Sequence, residues 1–90
     1  MDGNGGKKEG EVNLEIDEEV SKGIYTNFAV VSNTNTEFII DFAFIFPGQP
    51  RNKVRTRIIS SPQHTKRFLM ALQDNVRKFE EKYGQINLWK

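Results

Sequence analysis

Residues 37–46, EFIIDFAFIF, constrain the fold more than any other stretch of the chain. Four of the seven phenylalanines lie here: Phe38, Phe42, Phe44 and Phe46 share one parity with Ile40. The other parity carries Ile39, Asp41, Ala43 and Ile45. Side chains alternate sides along a strand, so parity is a statement about faces. Both faces are apolar apart from one carboxylate, and such a strand has to be covered on both.

The neighbouring segments supply the sheet around it. Residues 11–16 alternate, with Val12, Leu14 and Ile16 on one side and Glu11, Asn13 and Glu15 on the other, the pattern of a half-buried strand. Residues 17–23 form a polar connection with room for one helical turn, Asp17 as its N-cap and Gly23 ending it. Residues 24–31 read as a second strand, joined by the turn formers of SNTNT to the phenylalanine-rich third. PGQP stops that third strand. Residues 53–59 are the fourth, with Val54, Thr56 and Ile58 on one face and Lys53, Arg55 and Arg57 on the other.

Ser61 followed by Pro62 is a helix start, cap residue then first-turn proline, and Gly84 is a helix stop. The spacing predicts a helix from Pro62 to about Tyr83, with Leu69, Leu72, Val76, Phe79 and Tyr83 on one stripe and Asp74 paired with Lys78. Ile86, Leu88 and Trp89 make the last residues apolar enough to be expected to fold back on the body. The expected fold is therefore α+β, two-layer: a four-stranded antiparallel sheet packed on one long C-terminal helix. A meander is the simplest strand order; the order 1-4-3-2 sets the acidic first strand beside the basic fourth.

A chain of 90 residues allows one small domain, expected over residues 11–90 behind a disordered glycine-rich tail at residues 1–10. One helix covers one sheet face, and the remaining apolar face points to a homo-oligomer, a dimer before other states. Phe38, Ile40, Phe42, Phe44, Val76 and Phe79 are the candidate interface residues. No apolar run approaches the ~18 residues of a membrane span. The opening residues lack the apolar stretch of a secretory signal, so the cytoplasm is the expected compartment.

The run GIYTNFAVVSNTNTEFIIDFAFIFPGQPRNKVRTRIISSPQHTKRFLMALQDNVRKFEEKYG resembles a bacterial and archaeal family catalogued as domain of unknown function 3467. The matching motifs are TEFIIDF before a proline loop, RIISSPQHTKR, and ALQDN in the helix; with EVNLEID the likeness covers about residues 11–84. The resemblance implies a fold boundary more than an activity. Some members of that family are encoded near RNA polymerase subunit genes, which implies a role near transcription.

Charge is uneven under a net value of +1: residues 1–50 hold nine acids and three bases, residues 51–90 ten bases and three acids. The segment 51–67 holds Arg51, Lys53, Arg55, Arg57, His64, Lys66 and Arg67 and no acid. Lys66 and Arg67 sit near a helix start, where the dipole disfavours cations and free N–H groups favour anions. Those seven residues are the candidate site for an anion or a nucleic-acid backbone. The competing reading pairs the strand bases with Glu11 and Glu15, within one chain or between subunits, and a net charge of +1 favours it.

Catalysis finds little support. The single histidine, His64, has no second ligand for a metal and no evident nucleophile to serve, and the chain has no cysteine. Asp41 is expected to meet a base or backbone donor, or to sit at the sheet rim. The expected function is that of a non-enzymatic oligomeric interaction module with an unidentified partner, without metal or cofactor. A chaperone-type binder of extended apolar polypeptide is the alternative, since the export chaperone SecB is similar in architecture, a four-stranded antiparallel sheet followed by a long helix.

Overall fold

The computed structural model describes residues 12–89. Its elements are α1 (Glu18–Ser21), β1 (Phe28–Asn33), β2 (Phe38–Ala43), β3 (Val54–Ser60) and α2 (Pro62–Tyr83). The three strands form an antiparallel sheet in the order β1-β2-β3, a meander with the phenylalanine-rich strand in the centre.

The expected first strand is not in the sheet, which has three strands among the described residues. Glu11 lies outside those residues, as does the expected tail at 1–10, while residues 12–17 take no regular structure. Val12, Leu14 and Ile16 are exposed at 68%, 83% and 66%. A strand exists only where an edge receives its N–H and C=O groups, and here none does. The order 1-4-3-2 therefore does not form, and no ion pair joins Glu15 to the fourth-strand bases among the described residues.

The centre of the sheet is closed by local chemistry at both ends. In the β1–β2 connection Thr34 accepts from its neighbours: its Oγ1 takes N–H bonds from Thr36 at 3.1 Å and Glu37 at 3.2 Å. At the other end β2 stops at Ala43, three residues short of the expected Phe46. Asn27 takes over there. Its N–H donates to the Ala43 carbonyl at 3.1 Å, and its side-chain amide both accepts from the Ile45 N–H at 2.8 Å and donates to the Ile45 carbonyl at 3.2 Å. One asparagine side chain thus replaces a peptide unit and extends the ladder past the end of the strand.

A bulge alters the fourth-strand parity. Thr56 opposes Phe42 while Val54 opposes Ala43, so Arg55 is the extra residue. Val54 therefore lies on the face of Asp41 and Arg57, not with Thr56 and Ile58 as the alternation predicts. The register then defines two faces. One carries Val31, Ile40 and Ile58 in a row, with Phe38 and Phe42 either side of Ile40; the other carries Val30, Asp41 and Arg57.

The helix begins and ends where its caps dictate. Ser61 Oγ accepts the His64 N–H at 3.2 Å, Pro62 occupies the first turn, and Gly84, at φ 105, donates its N–H to the Glu80 carbonyl at 2.9 Å. A side chain at Gly84 would be strained in that left-handed region. Asp74 meets Lys78 at 3.3 Å as expected and also holds Arg77 at 2.7 Å. α1 forms as the single expected turn, although the Asp17 side chain makes no cap hydrogen bond. Beyond α2 only Ile86 is tied back, its N–H donating to Glu80 Oε2 at 2.9 Å; Trp89 is 91% exposed, contrary to the expectation that this segment folds onto the body.

The core is close to absent. Among the described residues only Ala43 is buried, on the central strand. At 22 residues α2 is about 33 Å long, whereas strands of six or seven residues reach roughly 20 Å. The sheet cannot underlie the whole helix.

Candidate functional site

Three surfaces carry what the chain offers to a partner. The first is a groove of about 530 Å³ between α2 and the Ile40 face of the sheet. Val31, Phe38 and Ile40 form its floor, and Phe68, Leu69 and Leu72 its wall, with Lys66 at the rim. It continues into a smaller cavity of about 250 Å³ bounded by Phe42, Ile58, Ser60, His64 and Thr65. The polar groups there are largely engaged in the helix start: Thr65 Oγ1 donates to the Ser61 carbonyl at 2.7 Å and the His64 backbone N–H is held by Ser61. The lining is largely apolar, and among the described residues neither Ser60 nor Thr65 shares a side-chain hydrogen bond with His64.

The second surface is the far half of α2. Val76, Phe79 and Tyr83 continue the stripe of Leu69 and Leu72, but the groove draws on the helix only as far as Leu72. Phe79 and Tyr83 pack on each other, ring centroids 4.9 Å apart, and remain 48% and 67% exposed. Of the candidate interface residues, Phe38, Ile40 and Phe42 lie in the groove region and Val76 and Phe79 on this overhang. Phe44 stands apart in an edge-to-face cluster with Tyr25, at 5.8 Å, and Phe46, at 5.1 Å.

The third surface is the opposite sheet face and the β3 edge. Asp41 finds its partner across the ladder: Arg57 grips it with both fork nitrogens, Nε to Oδ1 at 2.7 Å and Nη2 to Oδ2 at 2.8 Å. That hydrogen-bonded guanidinium holds the Asp41 carboxyl below the ordinary carboxylate range, against a smaller opposing effect of burial. Asp41 in turn raises the pKa of Arg57. The carboxylate is 16% exposed and gives one oxygen to each fork nitrogen, which makes it a fastening of β2 to β3.

The seven basic-segment residues do not gather in one place. Arg57 is committed to Asp41 on one sheet face, while His64 and Lys66 line the groove on the other. Helical spacing turns Arg67 away from the Leu69–Leu72 stripe. Arg55 stands at the bulge and Lys53 just before β3; with Arg51, Lys66 and Arg67 they make no ion pair among the described residues. Also among the described residues, no group of three His, Cys, Asp or Glu side chains could hold a metal ion, and no helix is long and apolar enough to cross a membrane.

Sequence reasoning missed Asn27, whose role depends on lying beside the end of β2, and it missed the bulge at Arg55. The signal for Asn27 was a lone amide within an otherwise β-branched and aromatic run. No curated protein and no solved structure matches this chain. The model of the family described as Protein of unknown function (DUF3467) matches residues 1–88, nearly the whole chain, and the chain belongs to that family.

Proposed function

We propose that this DUF3467 protein is a homodimeric, non-catalytic interaction module whose fold is completed by its second copy. One observation carries the reading: of the described residues only Ala43 is buried, while the groove and the Val76–Phe79–Tyr83 stripe stand open. Ordering each backbone residue costs about 1–2 kcal/mol, and burying a Val, Leu or Phe side chain returns about 1.5–3 kcal/mol. A lone chain that leaves its large apolar side chains half-exposed has too little to set against that entropy. A two-fold partner laying its own helix stripe and sheet face against these surfaces supplies the missing burial, and an interface of about 1,600 Å² is the usual scale for such a pair.

The partner of the dimer is then a polypeptide before it is a nucleic acid. The groove favours apolar side chains, which is the chemistry of the chaperone-type alternative as well. The bases of residues 51–67 are divided between two sides of the sheet, with Arg57 already used, and this weakens the case for a continuous phosphate track near transcription complexes.

Sedimentation of the full chain across a concentration series, with chemical denaturation at each concentration, tests the dimer. A two-chain mass and an unfolding midpoint that rises with concentration are expected. A single-chain mass together with a cooperative, concentration-independent transition would overturn it.

A further inference from the structure

We infer that residues 12–16 are the missing fourth strand, and that they pair with the β3 edge of the second copy in a strand-exchanged dimer. This rests on the homodimer reading above and names the contact that builds it. The segment has the alternation of a half-buried strand, yet all three of its apolar side chains are exposed. Among the described residues it makes no backbone hydrogen bond. Among the described residues β3 pairs only with β2, so its outer edge presents N–H and C=O groups that no described strand receives.

Charge chooses between the two open edges. β1 carries no charged residue from Phe28 to Asn33, whereas β3 carries Arg55, with Lys53 just before it, beside the Arg57 that Asp41 already holds. The incoming segment carries Glu15, and opposite charges across a ladder attract. Face parity agrees. If Val12, Leu14 and Ile16 join the face of Ile58, which opens on the groove, Glu15 joins the face of Arg57. The reverse assignment sets an acid over the groove and three apolar side chains beside Arg57. Only one assignment satisfies both charge and burial, and it is the same whether the added strand runs parallel or antiparallel.

A second copy is the occupant because within one chain the segment lies off the sheet, its apolar side chains uncovered. α1 and the turn at Gly23, with φ 77, lie between it and β1, and it leaves them with Leu14 83% exposed.

The chain has no cysteine, so introduced pairs report cleanly. Full-length L14C is mixed in turn with T56C, I58C and S60C, which share the receiving face, and with V31C on β1 as the control. After mild oxidation, a disulfide between chains is expected with one of the β3 variants and not with V31C. E15K in the cysteine-free background is expected to weaken the dimer by up to about fivefold at low salt. A disulfide formed inside one chain of the double variant L14C/I58C, in preference to the mixed pair, overturns the exchange. So does a cross-link to V31C. A two-chain mass with no cross-link to any β3 position overturns the exchanged strand and leaves the homodimer standing, while a single-chain mass throughout removes both.

Discussion

The central strand, with four large apolar side chains, and the last three turns of the helix, with three, are treated oppositely by the chain. β2 has a ladder on each side, and every one of its residues is at least half-buried. The stretch of α2 with Val76, Phe79 and Tyr83 stands beyond the groove with its stripe open. The difference lies in where the backbone finds its hydrogen bonds. A strand must borrow partners from neighbours, so a monomer can fold β2 only by enclosing it. A helix closes its own hydrogen bonds and can project from the body at no cost in backbone polarity. What remains uncovered on a projecting helix is only side chain, and that is the surface a second copy can complete.

Breaking the helix side of this contrast is expected to have the largest effect. Phe79→Glu places a charge in the centre of the proposed seam, and a central aromatic anchor is typically worth 2 kcal/mol or more, roughly a thirtyfold rise in dissociation constant. Sedimentation should show the dimer lost at concentrations where the parent is paired. A variant that dimerises as tightly as the parent would place the interface elsewhere.

Breaking the sheet side should act on stability instead. Asn27→Ala removes both side-chain hydrogen bonds to Ile45 and leaves that peptide unit unpaired, a loss of about 1–3 kcal/mol. The denaturation midpoint should fall, with the largest gain in amide exchange at Ile45. If exchange at Ile45 is unchanged, the asparagine is not what carries the ladder beyond Ala43.

The smallest effect sharpens the contrast through pH. Because Arg57 lowers the folded-state pKa of Asp41, the pair stabilises the sheet above the unfolded carboxyl value of about 3.9, and that contribution is lost as pH falls through the lower folded value. Arg57 stays protonated throughout this window. Asp41→Asn should be less stable than the parent at neutral pH, and the gap should close toward acid. A gap that stays constant with pH would mean that the ion pair is not the cause.

The parts of the fold legible in the sequence were those specified by adjacent residues. Ser61 with Pro62 marks the start of α2 and Gly84 its end, each a local signal at its own terminus, and the helix has those bounds. That Asp41 wants a base, a backbone donor or the sheet rim could be read from an isolated carboxylate among phenylalanines; that a base meets it, and that the base is Arg57, depends on register, set sixteen residues away. The bulge that moves Val54 to the other face leaves no local mark, because Lys53 to Ile58 alternates without interruption. Residues 11–16 have the right alternation for a strand, but alternation states only which face would be buried, not that an edge is available. The candidate anion site failed to gather for a related reason: seven basic-segment residues close in sequence cross from strand to helix, and a sheet has two sides.

The bases along β3 have a consequence for how far association can run. Two copies meeting β3 to β3 would set Arg55, Arg57 and Lys53 against their own kind, so this edge resists pairing with itself. An exposed edge that repels its own copy is a poor start for sheets joined β3 to β3. That protection is electrostatic, so it weakens as salt shortens the reach of the charges. The uncharged β1 edge, with Val30 and Val31 exposed, has no such guard and is where unwanted growth would begin in concentrated or salted solutions.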